Sequence, residues 1–190
     1  MASTVDICNI AIGWLAGNLI TDLSDDSVEA KLCKANFDSC RDSVLEDKAW
    51  TFAVKRVKIA HTADIAIPES FKTFLKPPDC IRVLQVSASP NFDDYLYWVL
   101  EGDHILSEAT VVFVRYIHRV VDTEKFSANF VQALAARLSS DLAIPLTEST
   151  GIHKSMWTLY ENKLYEAGNT DGMQGRSEKF RSYRLVNARR

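Results

Sequence analysis

The sequence predicts an α+β fold: a four-helix bundle with a small antiparallel β module inserted between helices 2 and 3, plus an extended C-terminal arm. Three observations carry this. Apolar residues recur at helical spacing up to about residue 50 and again after residue 122. The stretch between them changes to short β-branched and aromatic runs divided by Pro68, Pro77, Pro78 and Gly102. The last fifteen residues gather six cations against one acid. The predicted units are residues 1–50 with 122–170 as the bundle, 51–121 as the β module and 171–190 as the arm.

The first helix is expected over about residues 4–16. Ser3 is its cap, with Asp6 in capping-box position. Val5, Cys8, Ile12 and Leu15 form an apolar stripe, and Gly17-Asn18 supplies a stop. A second helix starts at Ser24 or Ser27, where Asp25, Asp26 and Glu29 suit the positive end of a helix dipole. Cys33, Phe37, Cys40 and Val44 line one face. Lys31, Lys34, Asp38, Arg41 and Asp42 fall on the other.

Strands are expected around Phe52–Ile59, Ile81–Val86, Tyr95–Leu100 and Ile105–Leu106, with a turn at Glu101–His104. The run Val111–Ile117 is the strongest strand signal. Helical spacing returns after Asp122-Thr123 with Phe126, Phe130, Leu134, Leu138 and Leu142, and Pro145 should end that helix near Ile144. A last helix is expected from the Thr147–Thr150 segment to a stop at Gly168-Asn169.

Several function classes find no support. No run approaches the 18 apolar residues of a membrane span, and the N-terminus does not read as a signal peptide. No phosphate-binding glycine loop, zinc-protease motif or nucleophile elbow is present, and no cofactor is implied. His104 and His118 meet only if their strands pair, which falls short of the three or four ligands of a metal site. Asp93-Asp94, beside Tyr95, Tyr97 and Trp98, is the best carboxylate pair for glycan hydrolysis. Neighbours on a strand point to opposite faces, however, and a solvated turn fits them better. Cys33 and Cys40 lie two turns apart on a helix, about 10 Å, too far for a disulfide. Their apolar stripe suits core packing better than nucleophilic chemistry.

The net charge of −3 is uneven. Residues 176–190 carry +5, which leaves −8 for the rest. Arg176, Lys179, Arg181, Arg184, Arg189 and Arg190 alternate with Phe180, Tyr183, Leu185 and Val186. Such a segment suits a disordered end, a nucleic-acid contact or an arm docked in a protein groove. The spaced apolar anchors favour docking.

An ordered series of motifs resembles one family. The series opens on Cys8-Asn9-x-Ala11-Ile12-Gly13 and continues with Arg41-x-x-x-Leu45-x-x-x-x-Trp50-x-Phe52-Ala53-x-x-Arg56. Next come Pro78-Asp79-x-x-Arg82-Val83-x-x-Val86, Phe130-x-x-Ala133-Leu134-x-x-x-Leu138 and Leu142-Ala143-x-Pro145-Leu146-Thr147, then Tyr160 and Ala167. Over residues 5–170 this resembles the tail tubular protein A family, the head-to-tail adaptors of short-tailed bacteriophages.

The resemblance implies a non-enzymatic virion protein at the head–tail junction, assembled in the host cytoplasm. It implies a homo-oligomeric ring, commonly of twelve subunits, between the portal protein and the tail nozzle protein. Such a ring extends the DNA channel for genome retention and ejection, and DNA passes without sequence-specific binding. The tail matches the family only in role, as a terminal arm that reaches the portal; its cations and apolar anchors then give the expected portal-binding residues as Arg176, Lys179, Phe180, Arg181, Tyr183, Arg184, Leu185, Arg189 and Arg190. Two alternatives stand beside this reading: a tail-associated glycan hydrolase, and a DNA-binding protein that uses its basic tail.

Overall fold

The computed structural model describes residues 2–62 and 70–173. Helix α1 (Thr4–Trp14) starts on the predicted box: the Ser3 hydroxyl accepts from the Asp6 N–H at 3.1 Å and the Asp6 carboxylate accepts from the Ser3 N–H at 2.8 Å. It ends at Trp14, two residues short of the predicted end at residue 16. Ala16, not glycine, takes the left-handed conformation (φ 56°). Gly17 is needed for space, since a Cβ there would lie 2.9 Å from Ile12 Cγ2. Asn9 then fixes the exit, with both ends of its amide bonded to Ile20 backbone at 2.9 Å.

Helix α2 (Val28–Asp47) is capped by Ser27, which accepts from the Ala30 N–H. Its apolar face is the predicted one. Arg41 corrects the expectation of an outer-face cation, because it is buried. Asp38 at 2.8 Å and Asp42 at 2.9 Å neutralise its guanidinium, so the charge stays paired while the side chain leaves solvent. Past α2, Trp50 is buried. Its indole N–H donates to Val44 O at 2.7 Å, and its ring stands edge-on to Phe130 at 4.9 Å.

A single-turn 3-10 helix, Thr51–Ala53, leads into the strands: β1 (Val54–Ala60), β2 (Lys72–Leu75), β3 (Cys80–Ser87), β4 (Trp98–Glu101), β5 (His104–Ser107) and β6 (Val111–His118). They form two antiparallel three-stranded sheets, ordered β1-β6-β3 and β2-β5-β4, where the sequence predicts one small module. Phe74, Cys80, Val86, Ile105, Val112, Val114 and Tyr116 make a common apolar cluster. The predicted strand at Tyr95–Leu100 begins only at Trp98, because its partner β5 is four residues long and their register ends at the Trp98–Ser107 pair. Tyr95 is left 97% exposed. Gly102 (φ 57°) heads the two-residue turn of that hairpin, where its lack of a Cβ relieves the left-handed backbone.

Helix α3 (Ala128–Thr147) starts on Ser127, which accepts from the Phe130 N–H. Asp122 instead caps a short 3-10 turn, Thr123–Lys125. Pro145 does not end α3 as expected. It lies in the last turn, where a missing N–H removes a single bond, and the helix closes on Glu148 in the left-handed region. Helix α4 (Thr150–Met173) also runs past its predicted stop. At Gly168 the nearest neighbour is the flexible end of Lys48, with a Cβ falling 2.2 Å from its Nζ. Helices α1, α2 and α4 all pack on α3. Hence α3 is buried on several sides, and Ala133, Ala135, Ala136 and Ala143 let its neighbours approach.

Candidate functional site

The predicted portal-binding residues, from Arg176 to Arg190, lie outside the described residues, as does the 174–175 connector. The described chain instead offers a polar seam under α4 and a cationic face on the first sheet.

The seam lies under α4, whose Met156, Leu159 and Leu164 are only half-buried against the core. Among its described residues only Tyr160 and Ala167 are buried. Tyr160 donates its hydroxyl to the Asp47 carboxylate at the end of α2. Burial, then this bond, raises its pKa far above an ordinary phenol. Arg137 on α3 lies over the rings of Trp157 (4.9 Å) and Tyr160 (5.8 Å) and pairs with Asp141 at 3.3 Å. Asp141 also accepts from the Cys40 thiol at 3.1 Å. Burial raises the pKa of Cys40, so it stays a thiol and not a nucleophile. His153 Nδ1 is 2.8 Å from Ser140 O. The seam joins three helices without leaving a reactive group exposed.

The cationic face lies on the β1-β6-β3 sheet. Arg56 pairs with Arg115 across β1 and β6, and Lys58 with Phe113; Gln85 pairs with Arg115 and Arg82 with Ile117 across β3 and β6. Paired residues share a face, so four cations sit together. None of the four forms a salt bridge among the described residues. The Nε groups of Arg82 and Arg115 are buried and lack a hydrogen-bond partner among those residues. Arg56 stacks over Phe92 at 5.4 Å. Beside it, Val57, Lys58, Pro90 and Phe113 complete the lining of a concavity of about 210 Å³. Sequence reasoning missed this face. Its one local signal is the Arg56-x-Lys58 alternation on a strand.

The remaining candidates separate. His104 is on β5 and His118 on β6, in different sheets, so they do not meet as a pair. His118 Nδ1 is 2.7 Å from Ala53 O. Among the described residues no three His, Cys, Asp or Glu side chains are grouped to hold a metal ion. Asp94 clamps the loop after β3, accepting from the Ser87 hydroxyl and from the Ala88 N–H at 2.7 Å. Burial pushes its carboxyl up, but these bonds outweigh it and hold the pKa below the usual carboxylate range. A general acid for glycan cleavage needs the opposite shift. Asp93 is exposed. No helix among the described residues is long and apolar enough to cross a membrane.

No family model and no curated protein matches this chain.

Proposed function

We propose that this chain is a structural adaptor subunit of a short phage tail, which assembles as a ring between the portal and the nozzle and carries the DNA channel across their junction. One observation carries the reading: the ordered motif series from Cys8 to Ala167. Its members stand at the joints of the fold. Asn9 ties α1 to the following loop. Arg41 is buried between two carboxylates, and Trp50 joins α2 to α3 through Phe130. Asp79 ties β1 to β6 by accepting from Lys55 and Tyr116.

Two further features support an assembly role. The candidate chemistry is engaged in structure, as with Cys40, Asp94 and His118. Large apolar side chains stand exposed at Tyr95, Tyr97 and Leu100 near one sheet edge, at Ile144 and Ile152 near the α3–α4 turn, and at Leu19 and Val28. The acidic body, −8 over residues 1–175, suits a lumen through which like-charged DNA slides without sticking. The segment 176–190 is the proposed portal-docking arm.

Negative-stain electron microscopy of the protein mixed with the portal of its own phage tests this. A ring stacked coaxially on the portal is expected. Portals that stay bare at saturating protein rule the adaptor out.

A further inference from the structure

We infer that the cationic face of the β1-β6-β3 sheet is one half of a head-to-tail contact between copies of this chain. The other half is the acidic, apolar-tipped corner between α1 and α2. The inference rests on the ring reading and assigns the surfaces that would build the ring. A cyclic ring needs two different, complementary patches on each subunit.

The corner is a single surface. Asn18 donates to the Glu29 carboxylate through its backbone at 3.2 Å and through its side chain at 3.1 Å. Asp25 accepts from the Thr21 and Asp22 N–H groups at 2.9 and 3.0 Å. These bonds hold the loop against the start of α2, where Leu19 and Val28 are 67% and 61% exposed and Asp22 and Asp25 add negative charge, with Asp26 paired to Lys31. Hydrogen bonds from Ser24 to Asp22, and from Asp22 and Thr21 to Asp25, lower both carboxyl pKa values, so the corner is anionic at neutral pH.

The opposing face has the inverse design. An apolar concavity lined by Phe92, Phe113 and Pro90 is rimmed by Arg56 and Lys58, with Arg82 and Arg115, whose buried Nε groups lack a partner among the described residues, on the same face. An exposed aliphatic tip ringed by carboxylates fits a concavity ringed by guanidinium and ammonium groups. Nucleic acid fits less well. Arg56 already occupies one face of Phe92 and Phe113 is half-buried, which leaves less ring surface for a flat base than for an aliphatic tip.

The test uses two double variants at exposed positions, where folding is spared. Arg56→Glu/Lys58→Glu reverses the face, and Leu19→Lys/Asp26→Lys reverses the corner. Sedimentation velocity at low salt is expected to show self-association of the wild type. Each variant alone should be weakened about tenfold or more, and an equimolar mixture should recover, since each variant then meets its charge complement. Recovery also shows that both variants fold.

A mixture that stays dissociated while the wild type associates and both variants melt normally overturns the pairing and leaves the adaptor reading standing. A wild type that stays monomeric at every salt and concentration overturns the self-contact, and portal microscopy alone then decides the adaptor reading. If Arg56→Glu/Lys58→Glu spares self-association but abolishes retention of a labelled single-stranded oligonucleotide, the face belongs to phosphate and the inference falls.

Discussion

The Tyr160 hydroxyl on α4 donates to the Asp47 carboxylate at the end of α2, joining residues 113 apart in sequence. The bond adds a polar tie to the apolar contacts that Met156, Leu159, Leu164 and Ala167 make with the core. Tyr160→Phe keeps the ring under Arg137 and removes only the bond. A loss of about 1–2 kcal/mol is expected in urea unfolding. The phenol pKa is raised in the fold, so the bond stabilises fully below the unfolded tyrosine pKa of about 10. Above that pH the unfolded chain ionises first and wild-type stability falls toward that of the variant. A Tyr160→Phe protein as stable as wild type at pH 7 removes the seam as a stabilising feature.

Phe130 is fully buried where three aromatic rings converge: Trp50 edge-on, Phe52 at 5.1 Å and Phe126 at 4.6 Å. Phe130→Ala leaves a cavity lined by Trp50 and Phe52 at the Thr51–Ala53 turn and by Phe126 just before α3, which cannot all collapse inward. The expected cost is about 3–5 kcal/mol. The near-UV signal of Trp50 should change in the same variant. A cost under about 1 kcal/mol would mean the joint between α2 and α3 lies elsewhere.

Legibility follows the range of the interaction. Ser3 and the apolar stripes of α1, α2 and α3 are readable because caps and helical spacing act within a few residues. Pro145 and Gly168 mislead because both residue types signal helix breaks. Pro145 loses little in a final turn, and Gly168 answers to Lys48, 120 residues away. Spacing puts Arg41 outside because it reports a face and not the carboxylates that neutralise a charge. The division into two sheets, and the cationic face, depend on strand register. Arg56 and Arg115 become neighbours only when β1 and β6 pair. The proposed arm is visible as composition alone.

Gly168 yields a prediction of opposite sign. Its close neighbour is the flexible end of Lys48, which can swing into solvent, whereas glycine within a helix is about 1 kcal/mol less favourable than alanine. Gly168→Ala should raise the thermal midpoint slightly or leave it unchanged, while Gly168→Leu should lower it. If alanine destabilises by more than about 1 kcal/mol, Lys48 is held in place by its surroundings.

Asp79 ties the sheet together from the turn before β3. It accepts from Lys55 Nζ at 2.9 Å and from the Tyr116 hydroxyl at 3.0 Å. Burial pushes its carboxyl up, but the two bonds outweigh it and leave the pKa below the usual value. Burial and the Asp79 bond push the Tyr116 phenol up to about 12. A depressed carboxyl stabilises above the unfolded aspartate pKa of about 3.9, and that stability is lost as pH falls through the folded value. Asp79→Asn should therefore be less stable than wild type at pH 7, by up to about 1 kcal/mol for so exposed a pair, and converge with it in acid. The raised phenol adds a loss of stability between pH 10 and about 12, which Asp79→Asn should soften. Parallel unfolding curves across acid pH would remove Asp79 as the source.

Deleting residues 176–190 separates the arm from the body. The two buried clusters of the described residues are complete by Ala167. The truncated chain should keep its urea midpoint and far-UV spectrum within error of the full chain. It also loses +5 of charge and the anchors Phe180, Tyr183, Leu185 and Val186. If those anchors seat in a portal groove, the truncated protein leaves portals bare, whereas alanine at Arg189 and Arg190 alone should weaken decoration and make what remains less sensitive to salt. A truncated protein that still decorates portals assigns that contact to the folded body and sinks the arm.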